Sequence, residues 1–521
     1  MATFLKSSLK LFEISILTYR MIRNNTTNSK QAAWVAIGSL FSFIVGIVSP
    51  MILSRYFDKG DYGTYKQVMY VYNTLLAVFT LGLPKAYAYF LPKYEPEYSK
   101  DIISKVTRIF FILGAIFSIC MFVFAGSIAN AMNNDDLKMA LIYFSPTPFF
   151  LLPTMGLDAI YAAFRKTQFL AYYTILTKVL TIVCIVLPVV VLSGNFIHAI
   201  IGFDIASFIT FLLAIYLKGW PVKVNVHRKS DLTYREIFRF SLPLLYASLW
   251  GIVFTSATQF FISRYYGNET FGEFSNGFME LPFVGMIIGA ISAVLLPVFS
   301  GMDKGDGMSD DTLTIWNSAL LKSAKLIFPM LIFSIFFARL LMTCMYGDMY
   351  ANSATYFMIK NISGLTYIIP FYPIILAIGK TKAYANVHMM AAIMVVAIEY
   401  IVCKTSNSPI YVAIASEVCT VFKIYLLMRI IAHYAQKRVA ELIPPFRMLK
   451  LMAVSVCASL PPFVMTQLFE MNKFFMLGLA FVVFLFDYYV LCFALRVTYK
   501  DIVSGFLANK SMLKGVLRYI P

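Results

Sequence analysis

The residues of this chain best placed to do chemistry are charged side chains standing inside apolar stretches. The cations are Lys85, Lys178, Arg339, Lys360, Lys423 and Arg429; the carboxylates are Asp158, Asp204, Glu280, Glu399, Glu417 and Asp487. An ion moved into hydrocarbon without a partner costs several kcal/mol or more, so each such group needs a partner or a task. Arg339 and Arg429 stand near the ends of their segments, where a long side chain reaches back to water. Lys85, Lys178, Lys423 and Lys360 are the candidates for holding an anionic cargo, because ammonium groups make strong charge-assisted hydrogen bonds to phosphate. Lys85 follows Pro84 in Gly82-Leu-Pro-Lys, where a broken helix opens backbone groups towards a cavity. Glu280, Asp204, Asp158 and Glu417 are the candidates for carrying a proton or binding a sodium ion; each can equally neutralise a neighbouring lysine. Glu280 stands before Leu281-Pro282, a second expected break.

Other chemistries find no support. HExxH, GxSxG and Walker patterns are absent, and the chain reads as a transporter, not an enzyme. The loop 303–311 lacks the alternating ligands of a calcium loop, and the four histidines are scattered, so neither a metal nor a cofactor is expected. The seven cysteines show no paired spacing and read as small packing residues.

The elements that must position these charges are membrane helices. The chain is 60% hydrophobic and 13% charged, with a mean hydropathy of +0.75. That much apolar surface cannot be hidden in a soluble core, so lipid is the solvent for most of it. A spanning helix takes about 20 apolar residues, and about fourteen such segments can be placed. They fall roughly at 31–54, 67–90, 107–131, 139–161, 170–193, 197–217, 237–262, 275–299, 320–342, 356–378, 385–403, 410–431, 450–469 and 474–495. The expected fold is therefore an all-α polytopic membrane protein. A net charge of +18 is compatible with nucleic acid binding, but its distribution points to a membrane face. Lys and Arg crowd the tails and alternate loops on one side. The loops opposite hold only Arg55, Lys59, Lys66, Lys138, Arg264, Lys404 and Lys473, which places both termini in the cytoplasm.

One stretch occurs twice. LSRYFDKGDYGTY at 53–65 returns as ISRYYGNETFGEF at 262–274, aligning Arg55 with Arg264 and Gly63 with Gly272 without a gap. Each copy follows a long apolar segment and precedes another, in an outer loop. Two halves of six spans each then form a parallel repeat. The expected organisation is an amphipathic cytoplasmic segment at 1–30, a six-helix bundle at 31–217 and a basic linker at 218–236. A second six-helix bundle at 237–431, an extra helix pair at 450–495 and an amphipathic cytoplasmic tail at 496–521 follow. Arg55 and Arg264 are read as helix-end anchors. Small residues in Gly38-x3-Ser42-x3-Gly46 and Gly285-x3-Gly289-x3-Ala293 give close-packing helix faces.

Two six-helix halves, two further helices, the SRYF-x3-DYG-x-Y run at 54–65 and the run from Gly82 to Pro92 together resemble a superfamily, the multidrug/oligosaccharidyl-lipid/polysaccharide exporters. Within it the chain looks like the bacterial polysaccharide flippases of the O-antigen or capsule type, across about residues 30–495. The resemblance implies two bundles around a cavity that opens alternately to each side of the inner membrane. It implies a cargo of undecaprenyl-diphosphate-linked oligosaccharide moved to the outer leaflet, with a proton or sodium ion as the coupling species. It also implies membrane lipids and polysaccharide polymerase machinery as partners, in lipopolysaccharide or capsule biosynthesis. A lipid II flippase has the same diphosphate chemistry and stands as the nearest alternative. A multidrug antiporter would favour carboxylates in a first or seventh span, and 31–54 and 237–262 hold none. A membrane glycosyltransferase or polymerase should carry a larger loop or soluble domain than any here.

Overall fold

The computed structural model describes residues 31, 34–222, 228–300 and 310–502. The amphipathic segment expected at 1–30, most of the 496–521 tail and most of the 303–311 loop lie outside the described residues. Every regular element among the described residues is helical, as a chain that must satisfy its own backbone in lipid requires. Twelve of these helices are long and apolar enough to cross a membrane, and the bent helix through 234–277 makes up to 13.

The chain divides into two compact units, Met1–Asn130 with Asn134–Ser248, and Ala131–Asn133 with Leu249–Pro521. The first holds α1 (Trp34–Tyr56), α2 (Lys59–Phe79), α3 (Pro84–Phe90), α4 (Ser99–Val123), most of α5 (Ala125–Met132) and α6 (Asp136–Phe144). It continues with α7 (Thr147–Leu151), α8 (Leu157–Ala163), α9 (Thr167–Val191) and α10 (Phe196–Gly219). The chain passes into the second unit within α11 (Tyr234–Gly277). Then come α12 (Pro282–Ser300), α13 (Asp310–Phe336), α14 (Ala338–Tyr346), α15 (Ser353–Gly364) and α16 (Phe371–Ala377). The last four are α17 (Thr381–Thr405), α18 (Pro409–Tyr434), α19 (Pro445–Leu468) and α20 (Lys473–Ala494).

The duplicated stretch builds the same local structure twice. In the first copy α1 stops at Tyr56, and Asp58 starts α2 by accepting the Asp61 amide hydrogen at 2.8 Å. In the second copy α11 is interrupted at Gly267, at φ 84° and ψ 176°, a conformation open only to glycine. The loop expected between spans is thus a single break, because helix resumes at once and buries Tyr62 and Tyr65, or Phe271 and Phe274. Ser54 and Ser263 are buried, as are Gly63 and Gly272, while Arg55 and Arg264 are exposed.

Breaks stand at both proline sites read from the sequence. Between α2 and α3, Leu81 and Gly82 take positive φ of 49° and 70° before Pro84 begins the next helix. Between α11 and α12, residues 278–281 are non-helical and Pro282 restarts the chain. Other breaks were not anticipated, among them those that divide the span expected at 139–161 into α6, α7 and α8 and the span expected at 320–342 into α13 and α14. The segment read as one span at 356–378 is two short helices, α15 and α16, parted at 365–370 where Pro370 removes a donor.

Each unit has its own packing. In the first, Tyr72 stacks on Phe117 and meets Phe144 edge-on, joining α2, α4 and α6. Asn134 donates to Thr64 Oγ1 at 2.9 Å and to Gln67 Oε1 at 2.5 Å, so buried amides are satisfied within the bundle. In the second, Phe333, Phe337 and Phe484 tie α13 and α14 to α20, and Trp316 donates to the Leu442 carbonyl at 3.2 Å.

The backbones of α9 and α10 approach closely where a Cβ at Gly202 would run into the Cys184 carbonyl. The neighbour is backbone and cannot swing aside. Leucine at Gly202 should therefore destabilise the first unit by about 1–3 kcal/mol through overpacking. A clear drop in melting temperature of the purified protein checks this; an unchanged melt would mean the helices separate freely there.

Candidate functional site

The second unit gathers charged and polar residues from four helices. On α18, Ser416, Thr420 and Lys423 recur at helical spacing, with Glu417 beside them. On α15, Lys360 and Ser363 stand one turn apart, and α11 and α17 contribute Thr258 and Glu399.

Lys360 and Glu417 form an ion pair, Nζ to Oε1 at 2.8 Å, with side chains 16% and 6% exposed. Ser363 donates to the other oxygen of Glu417. The Lys360 ammonium also lies 4.9 Å from the Phe278 ring centre and 5.7 Å from that of Tyr367. This is the pattern that lets an ion pair persist away from water, since both oxygens of the acid are engaged.

Glu399 is 0% exposed. Its Oε1 accepts from Thr258 at 2.7 Å, and Thr258 is 2.8 Å from the Ser416 hydroxyl. Its Oε2 has no hydrogen-bond partner among the described residues. A fully buried carboxyl with one open oxygen can take up a proton or face a small cation.

Lys423 is half-buried, its ammonium 3.8 Å above the Phe254 ring. Among the described residues it forms no ion pair, although Glu417, Glu280 and Lys360 are close enough to act on it electrostatically. The neighbourhood therefore contains a cation not bound to an acid. Glu280 is exposed, in the break before α12.

The structure thus brings Lys360, Glu417, Lys423 and Glu280 into one neighbourhood. The other candidates belong to the first unit. Lys85 is exposed in the first turn of α3, directly after the break. Lys178 is half-buried on α9, with no hydrogen bond or ion pair among the described residues. Asp204 on α10 accepts from Thr147 of α7, and Asp158 is exposed on α8. The described residues include no group of three or more His, Cys, Asp or Glu able to hold a metal ion.

The sequence reading gave two groups too little weight. Glu399 was named among the charged residues but not among those for coupling, because Thr258, whose hydroxyl it accepts from, lies 141 residues away. Lys218, grouped with the basic linker, is in fact 3% exposed in the last turn of α10, and donates to Tyr87 at 3.1 Å and Thr107 at 3.3 Å. The signal was present: an unbroken apolar run at 211–217 leads directly into Lys218.

A family model described as "Polysaccharide biosynthesis protein" matches residues 52–355, more than half of the chain. The chain belongs to this polysaccharide biosynthesis family. Solved structures agree on the fold that this family member adopts. It resembles the lipid II flippase MurJ in an inward closed conformation, with a TM-score of 0.69 at 17% identity over 90% of this chain and 99% of that one. It resembles an inward-facing multidrug resistance MATE transporter of the MOP superfamily, with a TM-score of 0.58 at 13% identity, covering 78% and 99%. A MOP superfamily transporter from Pyrococcus furiosus, described by a binding pocket of reverse polarity, matches with a TM-score of 0.54 at 14% identity, covering 79% and 96%. A comparison with curated proteins finds no match. The family member is a multi-pass membrane protein with the fold of the MOP exporters.

Proposed function

We propose that the protein is a flippase carrying undecaprenyl-diphosphate-linked oligosaccharide from the cytoplasmic to the outer leaflet of the bacterial inner membrane. The observation that carries this reading is Lys423, a cation without an ion-pair partner among the described residues, in a MOP-fold bundle of a polysaccharide biosynthesis family. An ammonium held off its acids and resting on an aromatic face can exchange that weak contact for a diphosphate oxygen. Lys360 can join it by releasing Glu417. Lys85 and Lys178 are proposed to serve the cargo from the first unit. Glu399 is proposed as the coupling carboxyl, taking a proton or a sodium ion, with Glu417 and Glu280 setting the charge around it. Both termini face the cytoplasm, and O-antigen or capsule assembly, with its polymerase, receives the cargo.

A lipid II flippase is the second reading, favoured by the likeness to MurJ over 90% of the chain. The two readings share a diphosphate and differ in the glycan. Deleting the gene should trap lipid-linked oligosaccharide on the cytoplasmic leaflet and strip a surface polysaccharide while the cell wall continues to grow. Trapped lipid II with arrested wall growth would favour the second reading. Normal surface glycan, in a strain without a redundant copy, would remove the first.

A further inference from the structure

One cationic feature lies apart from the cluster on α15, α17 and α18. In the first unit a cavity of 220 Å³ opens between the first turns of α4 and the last turn of α10. Its α4 wall is Lys100, Ser104, Thr107, Arg108 and Phe111, a single helix face; its α10 wall is Ile215, Lys218 and Gly219.

Lys100, Arg108 and Lys218 line this cavity. Lys218 is buried, and among the described residues it has only the hydroxyls of Tyr87 and Thr107 as hydrogen-bond partners, with no ion pair. Asp158 acts on it only at longer range. Arg108 is exposed and makes no hydrogen bond or ion pair among the described residues. Lys100 stands in the first turn of α4, where the helix dipole already contributes positive charge and a cation is disfavoured. In the same turn Asp101 pairs with Lys105 at 2.8 Å and accepts from Ser230. No carboxylate lines the cavity. Most of the remaining wall is apolar, supplied by Ile103, Phe111 and Ile215, so the cations are interleaved with a surface suited to hydrocarbon.

We infer that this cavity binds the phosphodiester headgroup of an anionic membrane phospholipid, with Lys100, Arg108 and Lys218 facing the phosphate and Ile103, Phe111 and Ile215 facing the acyl chain. The hydroxyls of Ser104 and Thr107 are placed to donate to phosphate oxygens. The small volume suits a headgroup and not a saccharide. A bound lipid would brace α4 against α10 beside the linker that Asp101 and Lys105 fasten at Ser230 and Leu232. This assignment is independent of the cargo proposed above.

The test uses the full-length protein in phosphatidylcholine nanodiscs titrated with phosphatidylglycerol, read by native mass spectrometry and thermal shift. Lys100→Gln/Arg108→Gln changes two exposed side chains and should leave the fold intact. The wild type should retain phosphatidylglycerol in preference to phosphatidylcholine and melt higher with it. The double variant should bind it roughly 30-fold more weakly, each basic residue near an anionic headgroup contributing about fivefold. Equal retention of both lipids by the wild type, or unchanged phosphatidylglycerol binding by the variant, overturns the site. Inorganic phosphate saturating the cavity as tightly as phosphatidylglycerol would overturn the assignment to a lipid. Export of the cargo is not the readout, so the flippase proposal and this one can fail separately.

Discussion

Alanine at Glu417 should destabilise the second unit by about 3–5 kcal/mol, because it leaves the Lys360 ammonium in the bundle with no acid to meet it. The pair is short, 2.8 Å, and both side chains are nearly withdrawn from solvent. Ser363 would also lose the oxygen it donates to. Replacing both partners with apolar residues of similar size, Lys360→Met with Glu417→Leu, should restore the melting temperature, since a buried ion pair and a packed apolar pair are often of comparable stability. Export separates the structural role from the functional one. If the pair only holds α15 to α18, the double variant should export at the wild-type level. We expect it to fold and to export nothing, because Lys360 is needed to meet the cargo diphosphate when it parts from Glu417. Melting curves beside surface-glycan measurements on the single and double variants decide between these.

Glutamine at Glu399 should give the second large effect, with little change in stability. Glutamine keeps the volume and can still accept from Thr258, so the contacts joining α11, α17 and α18 survive. What it loses is the carboxyl that can hold a proton or balance a cation at the open Oε2. Coupling between two sites is typically about 1–3 kcal/mol, or about 5- to 150-fold in affinity. In the wild type, cargo affinity should change by an amount in that range with pH or with sodium. In Glu399→Gln the dependence should be flat. A variant that keeps the full ion dependence would move the coupling site elsewhere, with Asp204, Asp158 or Glu280 next to be tested.

The fold was largely written in apolar continuity, and the site was not. Spans declare themselves because lipid requires about 20 consecutive apolar residues, and Pro84 and Pro282 mark breaks through their missing donors. The duplicated stretch was visible as text, but its geometry was not. Its polar residues suggested a loop, whereas Asp58 caps a new helix and Gly267 absorbs the break in a single residue. The split of α15 from α16 was not read from the sequence, although Pro370 and Pro373 both stand inside the stretch.

Partners across the bundle were beyond reach. Lys360 and Glu417 are 57 residues apart, and nothing local to either names the other. Glu399 is the lone charge of its segment at 385–403, with nothing local to name a partner; Thr258 and Ser416 become its surroundings only when three helices meet. Lys218 read as linker because positive charge near a span end usually belongs to the membrane face. Its burial beneath Tyr87 and Thr107 depends on α3, α4 and α10 converging.

The central claim, that this chain moves a lipid-linked saccharide across the bilayer, is tested most directly in vesicles. The purified protein would be reconstituted with undecaprenyl-diphosphate oligosaccharide, and the outward-facing fraction followed by an added glycan-specific enzyme that cannot cross the membrane. The account predicts that vesicles containing the wild type expose cargo from the inner leaflet in minutes, faster with an ion gradient, and that Lys423→Gln abolishes this while the protein still folds. Cargo that stays protected in wild-type vesicles under every gradient, or that Lys423→Gln vesicles expose as quickly, would contradict it.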